Sequence, residues 1–309
     1  MTSSKTRSTR ATTHPAATAD VATTVGLVGL GLLGHAVASR LIGGGACDVV
    51  GYDVVGDRVA ALVSLGGRAA PSAAAVAAEA EAICVVLPAL AAVEEVILGS
   101  DGLVARGRTG QTIVQMSTIS PALTRRLARE VDGRGRHFLD CPISGTSAMV
   151  ARGDGVVFVG GQRAVFERWR GVLDAVLPRP VYVGEAGQAM VLKLVANLLV
   201  ALHSAAAAEA LTMARRAGLD LDLVLDVLGS GAAGSRMLEV RGPLIAKGEF
   251  PPQMKLDLFM KDLHLIQEAA GEVGAPLPLT DIAERLYAQA HAAGHGAEDL
   301  SVVVTALGR

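Results

Sequence analysis

Between Thr23 and about Val183 short apolar runs recur along the chain: TVGLVG (24–29), CDVVGYD (47–53), AICVVLP (82–88), TIVQMS (112–117), HFLDCPIS (137–144), GVVFVGG (155–161) and PVYVG (180–184). Runs of this length, rich in β-branched residues and bounded by Gly, Pro or Asp, predict strands buried on both faces. Ala-rich segments of helical length separate most of them, such as 32–41, 91–98 and 121–131. Strands alternating with helices predict βαβ units, a mostly parallel sheet and a doubly wound α/β domain. After Gly187 the texture changes to long Ala, Leu and Met stretches, which predict one helix over 188–217 stopped by Gly218. Shorter helices suit 221–228, 235–247, 256–273, 279–293 and 298–307. The pattern divides the chain into a tail (1–22), an α/β domain (23–185) and an all-helical domain (186–309).

Composition narrows the partners. The chain has 309 residues, 51% hydrophobic but only 3% aromatic, so its cores are built from Ala, Val and Leu. A net charge of −2 provides no electrostatic footprint for nucleic acid or an anionic membrane, which directs the search to small molecules. The apolar stretch 194–208 is about 15 residues long and contains Asn197 and His203, short of the roughly 20 that a membrane span needs. Cys47, Cys84 and Cys141 lie far apart without a C-x-x-C pair, as in a reduced, cytoplasmic protein. The first twenty residues, with Lys5, Arg7 and Arg10 among Ser, Thr and Ala, have no secretory apolar core and are expected to be a disordered tail.

Four segments carry candidate chemistry. Gly29-Leu30-Gly31-Leu32-Leu33-Gly34 stands between a predicted strand and a predicted helix, and Asp53 ends the next strand 19 residues after Gly34. The first glycine permits the turn, the second lets backbone approach a pyrophosphate at a helix N-terminus, and the third allows close packing. Asp53 suits two ribose hydroxyls and repels a 2′-phosphate, favouring NAD, while Arg58 nearby keeps NADP open. Asp140-Cys141-Pro142-Ile143-Ser144-Gly145-Thr146 runs a strand into a turn whose N–H groups and hydroxyls suit a carboxylate, although an ordinary capped turn reads the same way. Lys193 is the one charge between Glu185 and Glu209, with Asn197 a turn later on the same helical face. Desolvation would poise its amine to give a proton to a carbonyl oxygen receiving hydride; the alternative is a lysine reaching solvent from a half-buried helix. Lys261 and Asp262, read alone, form a solvated face. His291 and His295 have metal-pair spacing, but Gly294 between them and no third ligand argue against a metal.

Taken together, GLVGLGLLG, DCPISGT, GQAMVLKLVAN and the late KDL resemble, in order and spacing, the motifs of the β-hydroxyacid dehydrogenases, which include 3-hydroxyisobutyrate dehydrogenase and tartronate semialdehyde reductase. The resemblance runs from Thr23 to the C-terminus. It implies a Rossmann-type domain followed by a helical domain entered through a long helix, in homodimers or homotetramers. It further implies Lys193 as catalytic acid/base and Ser144, Gly145 and Thr146 as the carboxylate loop, with Asn197 orienting the substrate. Leu87, Pro88 and Thr118 then lie near the nicotinamide, and Lys261 approaches it from the helical domain.

Two positions depart from the family pattern. Thr146 replaces a glycine of the substrate loop, and Ala189 replaces the second glycine of the catalytic motif. Imine reductases look similar over the whole chain but typically carry an acidic residue or tyrosine at the position of Lys193. The expectation is an NAD-preferring oxidoreductase interconverting a small 3-hydroxy acid and its semialdehyde or keto acid. An imine or semialdehyde reductase is the alternative, and a non-catalytic NAD-binding sensor is a third reading. Arg236, Met237 and Arg241 are expected to select the substrate's side chain, and Phe250, Phe259 and Leu263 to make subunit contacts.

Overall fold

The computed structural model describes residues 23–45 and 47–308. The expected N-terminal tail lies outside the described residues.

The first half runs β1 (Thr24–Val28), α1 (Leu32–Gly43), β2 (Asp48–Tyr52), α2 (Gly56–Ser64), β3 (Arg68–Ala69), α3 (Ala73–Glu79), β4 (Ala82–Val85), α4 (Leu90–Leu98), α5 (Leu103–Arg106), β5 (Thr112–Gln115), α6 (Pro121–Asp132), β6 (His137–Asp140), β7 (Ile143–Ser144), α7 (Ser147–Ala151), β8 (Val156–Gly161), α8 (Arg163–Val176) and β9 (Val181–Gly184). Six parallel strands lie in the order β3-β2-β1-β4-β5-β6. The sheet then reverses, because β8 pairs antiparallel with both β6 and β7 while β9 runs parallel to β8. This is the doubly wound Rossmann order, with helices on both faces. β4 and β5 are buried along their whole length, which accounts for their unbroken apolar runs.

Three sequence expectations change here. β3 is two exposed residues with no apolar run to betray it. The run 137–144 is two strands rather than one, since Pro142 has no N–H to continue a ladder and the chain leaves β6 for a separate pairing with β8. The closing segments also differ: the helix expected over 279–293 ends at Ala290, and 300–307 is a 3-10 helix. Gly294, at φ +93°, breaks the first of these within a wide turn over His291–His295.

The second half is helical: α9 (Gln188–Arg216), α10 (Leu221–Ser230), α11 (Arg236–Lys247), α12 (Leu256–Val273) and α13 (Pro278–Ala290). Gly218, at φ +77°, ends α9 as expected. Ser235 caps α11 by accepting the Leu238 N–H. By length and composition α9 could cross a membrane. Its Leu194, Ala201, Ala208 and Leu211 are instead buried with Leu238, Phe259, Leu263 and Tyr287 in the core of the helical half. Phe259 and Leu263 are therefore core residues, not subunit contacts. The Tyr287 hydroxyl donates to the Ala201 carbonyl at 2.9 Å and fastens α13 to α9.

Arg241 is likewise not a substrate selector. It is buried and paired with the fully buried Asp299 at 3.2 Å, and Asp299 also accepts the Met254 and Ser301 N–H groups. Arg236 is exposed and faces Glu239 at 2.9 Å and Asp154 of the sheet half at 3.6 Å.

Candidate active site

The glycine loop follows directly from β1. Gly29 adopts φ +94°, and a Cβ there would lie 2.1 Å from the Val86 carbonyl oxygen, so only glycine fits. A Cβ on Gly34 would lie 2.0 Å from the Gly29 oxygen, which is why α1 can sit tightly on the turn. Gly31, the N-cap of α1, has open space where a side chain would be, and no side chain caps the helix. An uncapped helix N-terminus beneath a bare backbone cradle fits the pyrophosphate of a dinucleotide. Leu30 is buried, Leu33 packs on the core and Leu32 is 71% exposed.

Asp53 follows β2, and its carboxylate accepts the Leu30 N–H at 2.7 Å and the Val55 N–H at 2.9 Å. The position expected to read a ribose is thus tied to the loop expected to hold the phosphates. Arg58 approaches the same carboxylate at 3.3 Å.

Leu87, Pro88 and Thr118 sit just beyond the C-terminal ends of β4 and β5, on the edge where doubly wound sheets bind ligands. The Leu87 N–H donates to Ser117 Oγ at 2.9 Å, joining the two loops. Pro88 is exposed and Thr118 half-buried. The Thr118 carbonyl accepts Lys261 Nζ at 2.7 Å, so Thr118 and Lys261, far apart in sequence, meet across the two halves.

The DCPISGT segment divides its labour. Ser144 ends β7, and Gly145 turns the chain at φ +154°. Thr146 is the N-cap of α7, its Oγ1 accepting the Met149 N–H at 3.3 Å. The hydroxyl that departs from the family pattern thus accepts from its own helix and keeps its O–H free to donate. Asp140, which the sequence reading left without a role, is completely buried. Its Oδ2 accepts the N–H groups of Gly187 and Met190, both at 3.0 Å. It caps the first turn of α9 from the sheet, which supplies the side-chain cap that Gly187 cannot. Burial pushes its carboxyl up to about 7 against the pull of those two bonds. The signal for this role was the aspartate at the head of the quoted motif; its partners lie about fifty residues away.

From that anchor α9 carries Lys193 and Asn197 past β7 and β8, against which it packs. Lys193 is half-buried at its surface while its ammonium is desolvated. Burial lowers its pKa, Lys261 lowers it further and Asp262 acts the other way. Among the described residues no carboxylate lies within ion-pair distance of its Nζ. Asn197 is buried and donates Nδ2 to Asp262 Oδ2 at 2.8 Å. Asp262 is only 2% exposed, which corrects the reading of Lys261 and Asp262 as a solvated face. His291 and His295 are engaged by different carboxylates, Asp257 and Glu298, and among the described residues no group of three or more such side chains is poised to hold a metal.

Comparison with known proteins matches both halves. A family model described as the NAD-binding domain of 6-phosphogluconate dehydrogenase covers residues 24–184, and one described as the NAD-binding domain of NADP-dependent 3-hydroxyisobutyrate dehydrogenase covers 186–307. The chain is 35% identical over 283 residues to 2-hydroxy-3-oxopropionate reductase of Escherichia coli K12, covering 92% of this chain and 96% of that one. It is 33% identical over 281 residues to 2-(hydroxymethyl)glutarate dehydrogenase of Eubacterium barkeri, covering 91% and 93%. A crystal structure of 3-hydroxyisobutyrate dehydrogenase from Salmonella typhimurium superposes with a TM-score of 0.84 at 33% identity, covering 92% of this chain and 99% of that one. An imine reductase from Bacillus cereus, 19% identical with a TM-score of 0.60, shares the fold alone. The chain belongs to the β-hydroxyacid dehydrogenase family of NAD(P)-dependent oxidoreductases.

Proposed function

We propose that this protein interconverts a small 3-hydroxy acid and its semialdehyde or keto acid, with NAD preferred over NADP and Lys193 as the acid/base. The observation that carries this reading is the desolvated Lys193 ammonium, one helical turn from Asn197 on a helix anchored at the substrate-loop strand. The relatives named above as acting on hydroxy acids or their oxo forms support it.

A nicotinamide dinucleotide fits the loop of Gly29, Gly31 and Gly34, with Asp53 at its ribose and Leu87, Pro88, Thr118 and Lys261 toward its reactive end; when bound it supplies or accepts the hydride. The chain's own residues do the rest. Ser144, Gly145 and Thr146 hold the substrate carboxylate through the two hydroxyls and the backbone of the turn; the Thr146 oxygen accepts the Met149 N–H, which leaves its O–H free to donate. Asn197 orients the reacting hydroxyl. Lys193 delivers a proton to the carbonyl oxygen in reduction and removes it from the hydroxyl in oxidation, a task for which its lowered pKa suits it. Holding the carboxylate at one end and the proton donor at the other supplies the proximity and charge placement that acceleration requires.

In this reading the chain divides near residue 185 and works in the cytoplasm as a homodimer or homotetramer. Val191, Val195 and Leu199 support the assembly: spaced four residues apart on α9, each is 43–50% exposed, an apolar stripe suited to a second copy.

The test is titration of the purified protein with NADH and NADPH, then a panel of short 3-hydroxy acids and semialdehyde acids beside uncharged analogues. Turnover confined to carboxylate-bearing members supports the reading. Equal turnover of uncharged analogues, or none on any member despite tight NADH binding, overturns it.

A further inference from the structure

Asp262 has no role in the reading above, yet it occupies the centre of the site. Its carboxylate, almost wholly buried on α12, meets the Asn197 amide of α9 through Oδ2 at 2.8 Å and the Lys261 ammonium through Oδ1 at 3.3 Å. Lys261 in turn donates to the Thr118 carbonyl at the end of the parallel sheet, 2.7 Å away. One carboxylate therefore links the helix that carries Lys193 to the helix that reaches across to the sheet half. Burying a carboxylate is costly unless partners satisfy it, so its presence in an apolar helix interface calls for a use.

We propose that Asp262 is a positioning residue of the reaction: it orients the Asn197 amide, holds Lys261 against Thr118, and sets a negative charge beside the lysines of α9 and α12. The inference rests on Lys193 as the proton-handling group.

The orientation follows from donor chemistry. An ionised carboxylate only accepts, so it fixes the NH2 end of Asn197 toward α12 and leaves Oδ1 as the acceptor for a substrate hydroxyl. The electrostatics follow from the charges around Lys193. From α12 it is faced by Lys261, which opposes its positive charge, and by Asp262, which favours it. Asp262 is faced by Lys261 on its own helix and by Lys193 and Asn197 on α9; burial pushes its carboxyl up, and these three pull it down. With both lysines charged, Asp262 leaves the cluster one positive charge, which suits a substrate carboxylate.

The test compares D262N, D262A and K261M with the wild type. One readout is the pH dependence of acetylation of Lys193 by trace acetic anhydride, followed by mass spectrometry without substrate or cofactor; the other is kcat and KM against pH. D262N removes the charge but keeps an acceptor, so the Lys193 acetylation midpoint and the alkaline limb of the reduction profile both move to lower pH, with KM near wild type. D262A adds the loss of the Asn197 bond, and KM for the hydroxy acid rises about tenfold, as for one hydrogen bond to a charged group. K261M moves the Lys193 midpoint the other way, to higher pH, and provides the test should the Asp262 variants not fold. An unmoved midpoint in D262N, or in K261M if that variant alone folds, overturns the proposal, as does lost activity that merely tracks a lower Tm. Near-wild-type turnover by K193A would instead remove the acid/base reading on which the proposal rests.

Discussion

The sheet half and the helical half shape their parts of the site by opposite means. Beside β1 the geometry depends on side chains that are missing: Gly29 and Gly34 let backbone approach backbone where a single methyl would collide. Around α9 it depends on polar side chains that are buried: Arg241 with Asp299, and Asn197 with Asp262. The first device is tolerant of solvent and charge but intolerant of volume. The second fails when one member of a pair is left alone. The difference teaches where each half is vulnerable, and four perturbations sharpen it.

The largest effect is expected at Lys193. Lys193→Ala should lower kcat about a thousandfold, within the range for losing a positioned acid/base, while NADH binding followed by fluorescence stays unchanged because the glycine loop is untouched. Equal loss of NADH affinity would mean that the two halves are not separable in this way. Next is Asp299→Ala, which strands a buried guanidinium and frees the Met254 and Ser301 N–H groups. It should cost ~3–5 kcal/mol in urea unfolding. Gly34→Ala is expected to cost ~1–3 kcal/mol as overpacking, since its methyl meets the Gly29 oxygen, and to weaken dinucleotide binding with little change at Lys193.

The smallest effect lies at the joint between the halves. Asp140 combines both devices, a buried carboxyl held by backbone N–H groups with no cation among its hydrogen-bond partners. Its folded pKa of about 7 is above the ordinary carboxylate value, so the folded protein keeps the proton through a range in which the unfolded chain loses it. Its contribution to stability is therefore full only below about pH 4, where the unfolded chain is protonated too, and declines as pH rises from there to about 7. Asp140→Asn, which cannot ionise, should gain on the wild type in Tm between pH 5 and 8 by a few degrees. A gap constant with pH would show that Asp140 is not protonated in the fold.

Legibility in the sequence follows the same division. The nucleotide loop, the order of strands and helices, and the extent of α9 were readable because each depends on residues adjacent in the chain: a turn needs its own glycines, a strand its own apolar run, a helix its own stop at Gly218. Expectations that needed distant partners failed. Arg241 looked like a free selector and Asp262 like a solvated residue because nothing within a few positions reveals Asp299 or Asn197. Asp140 stood in a quoted motif without a role because the N–H groups it accepts belong to Gly187 and Met190.

By itself, then, the sequence determined a doubly wound domain with a dinucleotide loop, a helical second half, and a lysine and an asparagine one turn apart on its first helix. These are set by short-range sterics and periodicity. Only the tertiary structure decided which charges are buried, which carboxylate anchors α9, and that Asp262 joins Asn197 to Lys261. Burial and pairing are properties of surfaces that meet after folding, and a charge's energy depends on what surrounds it rather than on what precedes it in the chain.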